Sequence, residues 1–297
     1  MKEELVRNEA VRNEAGGTKG MARRLAVLVL VLAAGLLAGC AGSSGSGTAA
    51  GDASGEQGAS RQVTILVAAA ASMKNVFEQQ LIPMFEEQHP EVEVEGIYDS
   101  SGRLQTQIEE GLEADVFLSA AMKQMDALDQ EGLLVPGTRV SLLENRIVLI
   151  VPAGGEEGFR EFGDIAYAES IVLGDPDSVP AGQYAREALE AMGIWDRIQD
   201  RVSLGTSVTE VLNQVAAGSG DAGIVYATDA AGMGDQVTVV AEAPEGCLKE
   251  AVLYPAAVVK GTAREGEARA FLEFLQSEEA ARVFGEYGFS VTDRQQE

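Results

Sequence analysis

Apolar positions along the chain change their spacing repeatedly, and each change predicts an element. Val63-Thr64-Ile65-Leu66-Val67 is a short run rich in β-branched residues, the pattern of a strand buried on both faces. It stops at Ala68–Ala71, and Ser72 opens an amphipathic stretch to Glu87 with apolar positions Val76, Phe77, Leu81, Met84 and Phe85. Pro83 lies inside that stretch, where its missing N–H predicts a kink or a restart. Val92 to Tyr98 alternates as a strand, Leu104 to Gly111 reads as a helix with a glycine stop, Asp115 to Leu118 as a strand and Met122 to Gln130 as a helix. That βαβαβα order predicts an α/β unit with a largely parallel sheet.

The alternation continues. Strands are expected at Arg146–Val151, Ser170–Leu173, Ala222–Tyr226 and Leu253–Val259. Helices are expected at Gly182–Met192 and Val208–Ala217, with one or two more within Ala263–Phe284. No Pro- or Gly-rich linker interrupts this part, so two lobes interwoven by crossing strands are expected rather than two separate beads.

The first sixty residues follow other rules. Met21-Ala22-Arg23-Arg24 is basic, Leu25 to Leu37 is almost wholly apolar, and Leu37-Ala38-Gly39-Cys40 closes the run. A basic region, an apolar core of about 13 residues and small residues at the end describe a secretory signal, too short for the roughly 20 residues of a spanning helix. The last four residues resemble the bacterial lipobox, which implies lipidation of Cys40. Val6–Ala10 is repeated at once as Val11–Ala15, a polar duplication that suggests a true start at Met21. Ala41 to Ser60 is Gly, Ser, Ala and a few acids, a flexible tether reaching on the order of 25 Å. The expected organisation is leader and signal 1–39, anchored linker 40–61, a first lobe from 62–145 and 253–297, and a second lobe from 146–252.

Composition narrows the partners. The formal net charge is −25, and residues 1–39 hold more bases than acids, so the chain from Cys40 onward is more acidic still. Nucleic acid or an anionic lipid surface is a poor partner for such a chain. Cys40 and Cys247 are the two cysteines, which leaves no disulfide framework and no cysteine metal site.

Four segments share one design, in which a strand ends, a small or hydroxyl residue follows and a helix begins. They are Ala70-Ala71-Ser72, Asp99-Ser100-Ser101-Gly102, Val179-Pro180-Ala181-Gly182 and Gly205-Thr206-Ser207-Val208. Ser207 with Glu210 has capping-box spacing. Helix starts carry unpaired N–H groups and a positive dipole end, so they suit anions, and in open α/β sheets they gather beyond the strand C-ends.

These segments, with several others, resemble the molybdate-binding proteins of ABC transporters over essentially all of residues 62–291. The resemblance is carried by Ala68–Ser72, Ser100–Leu104 with Gln107–Gly111, Ala114–Ala120, Gly174–Ala185, Gly223–Tyr226, Tyr254–Val259 and Tyr287–Phe289. It implies an α/β chain in the two-lobed type II periplasmic-binding-protein fold. Each lobe is then a mostly parallel sheet flanked by helices, with the ligand in the interlobe cleft. It further implies that Ser72 and Ser101 each give a hydroxyl and an N–H to an oxyanion, that Ala181 and Val208 each give an N–H, and that Tyr226 gives its phenol. The ligand implied is molybdate or tungstate, with no cofactor and no direct protein–metal ligand. The expected partners are an ABC permease and, through Cys40, the membrane; the chain is expected to act as a monomer.

Two other readings stay open at this point. A protein of the same fold could serve tungstate alone, sulfate or phosphate, and Asp99, beside the serines, would favour a protonated oxyanion if it faced inward. A lipid-anchored serine hydrolase is more remote. Serine needs a base held by an orienting acid, and His89, in Gln88-His89-Pro90, is the single histidine.

Overall fold

The computed structural model describes residues 62–292. The expected signal, lipidation at Cys40, linker and Met21 start lie outside the described residues.

The first sheet holds β1 (Val63–Ala70), β2 (Val92–Asp99), β3 (Val116–Leu118), β4 (Val140–Asn145), β10 (Val252–Val258) and β11 (Ser290–Val291), in the order β11-β4-β10-β3-β1-β2. The second holds β5 (Ile147–Pro152), β6 (Ile171–Gly174), β7 (Val202–Gly205), β8 (Ala222–Tyr226) and β9 (Val237–Glu242), in the order β7-β6-β8-β5-β9. Arg146 alone separates β4 from β5, so the chain passes from one sheet to the other there, and it returns between Glu242 and Val252. The helices are α1 (Lys74–Val76), α2 (Ile82–Gln88), α3 (Ser101–Glu109), α4 (Met122–Gln130), α5 (Pro180–Ala191), α6 (Trp195–Ile198), α7 (Val208–Ala216), α8 (Ala227–Gly232), α9 (Glu265–Leu275) and α10 (Glu278–Glu286).

The two-sheet α/β architecture is as expected, with one correction to strand direction. Both sheets are mixed rather than mostly parallel. β1 pairs in parallel with β2 and β3, and β6 with β7 and β8, whereas β10, β4, β11, β5 and β9 enter antiparallel pairs. The antiparallel set includes the strands on which the chain changes sheets. Their pairing is set by that passage and is invisible in local periodicity. β1 also runs on to Ala70, through the alanines where the apolar run stops, because small side chains suit a strand with no exposed face: Ala68 and Ala69 are fully buried. Pro83 restarts the helix rather than bending it. Phe77–Leu81 forms a π turn, and the proline then stands in the first turn of α2, where its missing N–H costs nothing.

Packing fixes the strand ends on which the rest depends. One face of the first sheet is covered by an aromatic cluster in which the Phe77 and Phe85 rings meet Phe271 edge-on at 6.1 and 5.0 Å; the other buries Leu104, Ile108, Met125 and Leu128 from α3 and α4. In the second sheet α5 lies so close to β6 that a Cβ on Gly182 would stand 2.0 Å from the Gly174 carbonyl oxygen. Only glycine permits that approach.

Candidate functional site

Register places the ends of the parallel strands side by side. Ala70 and Asp99 are partners at the ends of β1 and β2. Just beyond them, Ser72 lies in a 3-10 turn, Ala71–Met73, and Ser101 opens α3. Gly174 and Gly205 are likewise partners at the ends of β6 and β7. Beyond those, Ala181 is the second residue of α5 and Val208 the first of α7. First-turn N–H groups have no partner within their own helix, so these positions offer donors.

The two pairs of strand ends face each other across a narrow seam. α7 packs against the Ala71–Met73 turn. The Gly102 N–H donates to the Ser178 carbonyl at 2.9 Å. A Cβ on Gly102 would stand 2.4 Å from that oxygen and 2.7 Å from Ser178 Cα, so contact between main chains at this point requires glycine. Tyr226, at the end of β8, donates its hydroxyl to the Ala120 carbonyl at 3.1 Å. The Ala120 N–H in turn donates to Ser101 Oγ at 3.0 Å. Ser72, Ser101 and Tyr226 are thus brought into one cluster, with Ser72 Oγ 3.1 Å from Tyr254 Oη and the Tyr226 and Tyr254 rings 5.5 Å apart. The Ser178 contact draws the start of α5, with Ala181, to the same seam.

The hydroxyls differ in what they have left to give. Ser101 is fully buried; its oxygen accepts from Ala120, so its proton is uncommitted. The Tyr226 proton is engaged with Ala120, and donation to a ligand requires exchanging that bond. Both Tyr226 and Tyr254 are held protonated, their pKa values raised well above the usual phenol range chiefly by burial.

The charged groups beside the helix starts of α3 and α7 stay at the rim. The Asp99 carboxylate accepts the Ser100 N–H at 2.7 Å and lies 3.7 Å from the Arg103 guanidinium. It therefore caps the start of α3 beside a cation. Ser207 Oγ accepts the Glu210 N–H at 3.2 Å as its spacing predicts, but Glu210 reaches back to the N–H and hydroxyl of Thr206, at 2.7 and 2.6 Å, and not to Ser207. Those bonds from Thr206 are the main reason the Glu210 pKa is lowered, with the field of Arg103 adding to them. A groove of about 420 Å³ along α3 is lined by residues that include Gly102, Arg103, Lys123, Gln124, Asp177 and Ser178. His89 is engaged elsewhere: it stacks on Phe85 at 4.4 Å and faces Glu91 at 3.6 Å. Among the described residues no group of His, Cys, Asp and Glu could hold a metal ion.

Sequence reasoning missed the residues that support this cluster. Asn145 and Tyr254 are buried beneath it, yet an asparagine at a strand end and a tyrosine inside a strand carry no local signature. Register supplies the link, since Val252 pairs with Asn145, and Tyr226 with Ile147. The Ser100 hydroxyl is also buried, with no protein hydrogen-bond partner.

Comparison with known proteins extends the picture. Residues 65–290 match the family model described as bacterial extracellular solute-binding protein. The molybdate-binding protein ModA of Haemophilus influenzae is 40% identical over 241 residues, covering 78% of this chain and 91% of that protein. The periplasmic molybdate-binding protein of Azotobacter vinelandii superposes with a TM-score of 0.68 at 24% identity, covering 77% of this chain and all of that one. The sulfate-binding protein SubI of Mycobacterium tuberculosis reaches the same TM-score at 20% identity, covering 78% and 88%. At those identities the two structures report the shared fold alone.

Proposed function

Because the chain belongs to the bacterial extracellular solute-binding protein family, among its molybdate-binding members, we propose that it captures molybdate, and tungstate with it, and hands the oxyanion to an ABC permease. It is a binding protein rather than an enzyme, as its relatives are. The proposed ligand donors are the hydroxyls and N–H groups of Ser72 and Ser101, the N–H groups of Ala181 and Val208, and the Tyr226 hydroxyl. The proposed lobes are 62–145 with 253–297, and 146–252. Lipidation at Cys40 would hold the receptor at the membrane within tether reach of the permease.

The observation that carries this reading is the character of the seam, which collects hydroxyls and helix starts while the nearby carboxylates of Asp99 and Glu210 are engaged at its edge. A tetrahedral dianion offers acceptors only, so a pocket of donors suits it. Each hydrogen bond to a charged group contributes about 1.5–3 kcal/mol. A handful of preorganised donors therefore accounts for micromolar affinity, about −8 kcal/mol, after the costs of association. Thermal shift with molybdate, tungstate, sulfate and phosphate tests the reading. Stabilisation by the first two is expected; stabilisation by none of the four, or by phosphate alone, overturns it. Fatty-acid labelling that persists in Cys40→Ala would reject the anchor separately.

A further inference from the structure

Asn145 is the last residue of β4, one residue before the chain enters the second sheet, and it is 5% exposed. The backbone sets which way its amide faces. The Arg146 N–H donates to Asn145 Oδ1 at 2.8 Å, so the opposite end is the nitrogen. That nitrogen donates its two protons to Thr228 Oγ1 at 2.9 Å and to Tyr254 Oη at 3.2 Å. An amide nitrogen is a donor only, so the Tyr254 oxygen accepts there. Its one proton is then available to Ser72 Oγ at 3.1 Å, with the Tyr226 hydroxyl as the competing neighbour. With Tyr254 as the donor of that pair, Ser72 accepts and keeps its own proton for the cleft.

We infer that Asn145 and Tyr254 are positioning residues that fix Ser72 as a donor and thereby set the site against protonated oxyanions. This rests on the oxyanion-binding reading above. Ser101 is polarised in the same sense by the Ala120 N–H. A serine free to rotate would serve the O–H of hydrogen phosphate as an acceptor. One whose oxygen already accepts from a buried phenol is oriented by that bond so that its proton faces the ligand, and a ligand O–H then meets a donor instead of an acceptor.

The test is calorimetric titration with molybdate and with phosphate of the wild type, Ser72→Ala, Tyr254→Phe and the double variant. Tyr254→Phe is expected to weaken molybdate binding about tenfold, one charge-assisted bond misdirected, and to narrow the molybdate-over-phosphate preference. In the Ser72→Ala background the same change is expected to cost less than about twofold, since the hydroxyl it orients is gone. An equal loss in both backgrounds, or an unchanged preference, shows that Tyr254 acts through packing alone and overturns the relay. If Tyr254→Phe does not fold, Asn145→Ala decides in its place. It keeps the phenol but releases its direction, and its loss must likewise vanish with Ser72→Ala. A wild type that binds no oxyanion rejects the proposed function itself and takes this inference with it, whereas a wild type that binds without the coupling rejects the relay alone.

Discussion

On the first sheet's side of the seam the proposed donors include the hydroxyls of Ser72 and Ser101 beside their N–H groups; Ser101 Oγ accepts from the Ala120 amide, and Ser72 Oγ pairs with the Tyr254 phenol. On the second sheet's side, apart from the Tyr226 hydroxyl at the end of β8, they are the main-chain N–H groups of Ala181 and Val208, whose own side chains are apolar and buried. Both sides reach the seam by the same device, parallel strands ending in register with a helix start beyond. The difference lies in how each side encodes its donor. A hydroxyl donor depends on its own residue and on whatever orients it. A main-chain donor depends on the placement of a helix and is indifferent to the side chain attached. Sequence change should therefore act sharply on one side and softly on the other.

The sharpest way to break that contrast is to delete one donor on each side. Ser101→Ala removes a bond to a charged ligand and also strands the buried Ala120 N–H. Molybdate affinity is expected to fall about 10- to 100-fold by calorimetry. Val208→Ala leaves the N–H in place. Its expected effect is on stability, about 2 kcal/mol by denaturant melt for two methyl groups lost from a side chain that is 4% exposed. Affinity is expected to change less than about threefold, well under the contribution of one such bond. A large loss of affinity in Val208→Ala, or none in Ser101→Ala, would erase the distinction.

A second comparison isolates closure from chemistry. Gly102 and Gly266 are both the second residue of a helix, α3 and α9. A Cβ at Gly102 meets the Ser178 main chain, while one at Gly266 meets nothing within 4 Å. Alanine in a helix is more favourable than glycine by about 0.5–1 kcal/mol, so Gly266→Ala should melt no lower than the wild type, whereas Gly102→Ala must displace the Ser178 main chain and should lose that gain. Only Gly102→Ala is expected to bind molybdate more weakly, about tenfold if closing costs one displaced main-chain hydrogen bond. Equal affinities in the two variants would show that the Gly102–Ser178 contact is incidental to binding.

What could be read from the chain divides along similar lines. The four segments that hold Ser72, Ser101, Ala181 and Val208 are legible because a strand end followed by a hydroxyl or small residue and a helix start is a local pattern; the choice of donor within each comes from the family resemblance. The π turn at Phe77–Leu81, the antiparallel pairing of β4, β5 and β10, and the relay from Asn145 through Tyr254 are not local. They depend on which strands become neighbours, and Asn145 and Tyr254 come together across more than a hundred residues of chain. Asp99 shows the boundary between the two cases. Its position beside the serines was legible, but its attachment to the Ser100 N–H and Arg103 required a folded helix start.

The smallest expected effect concerns the floor beneath the tyrosines. Asp229, in the first turn of α8, has a pKa pushed up to about 7, first by burial, with the Tyr226 backbone bond opposing the shift. Its charge in turn helps hold Tyr226 and Tyr254 protonated. The folded pKa lies above the unfolded value of 3.8. The folded state therefore holds the proton more tightly, and its advantage, full below the unfolded value, is lost as pH rises through about 7. Asp229→Asn cannot ionise, so its melting temperature should drop less than the wild type's between about pH 5 and pH 8. The residue is partly exposed although its Oδ2 is buried without a hydrogen-bond partner, and the difference is expected to be a few degrees at most. Parallel curves for the two proteins would mean that Asp229 is solvated in the folded state and that the tyrosines are held protonated by burial alone. That outcome would leave the relay through Asn145 untouched, because its direction is set by donors and acceptors and not by charge.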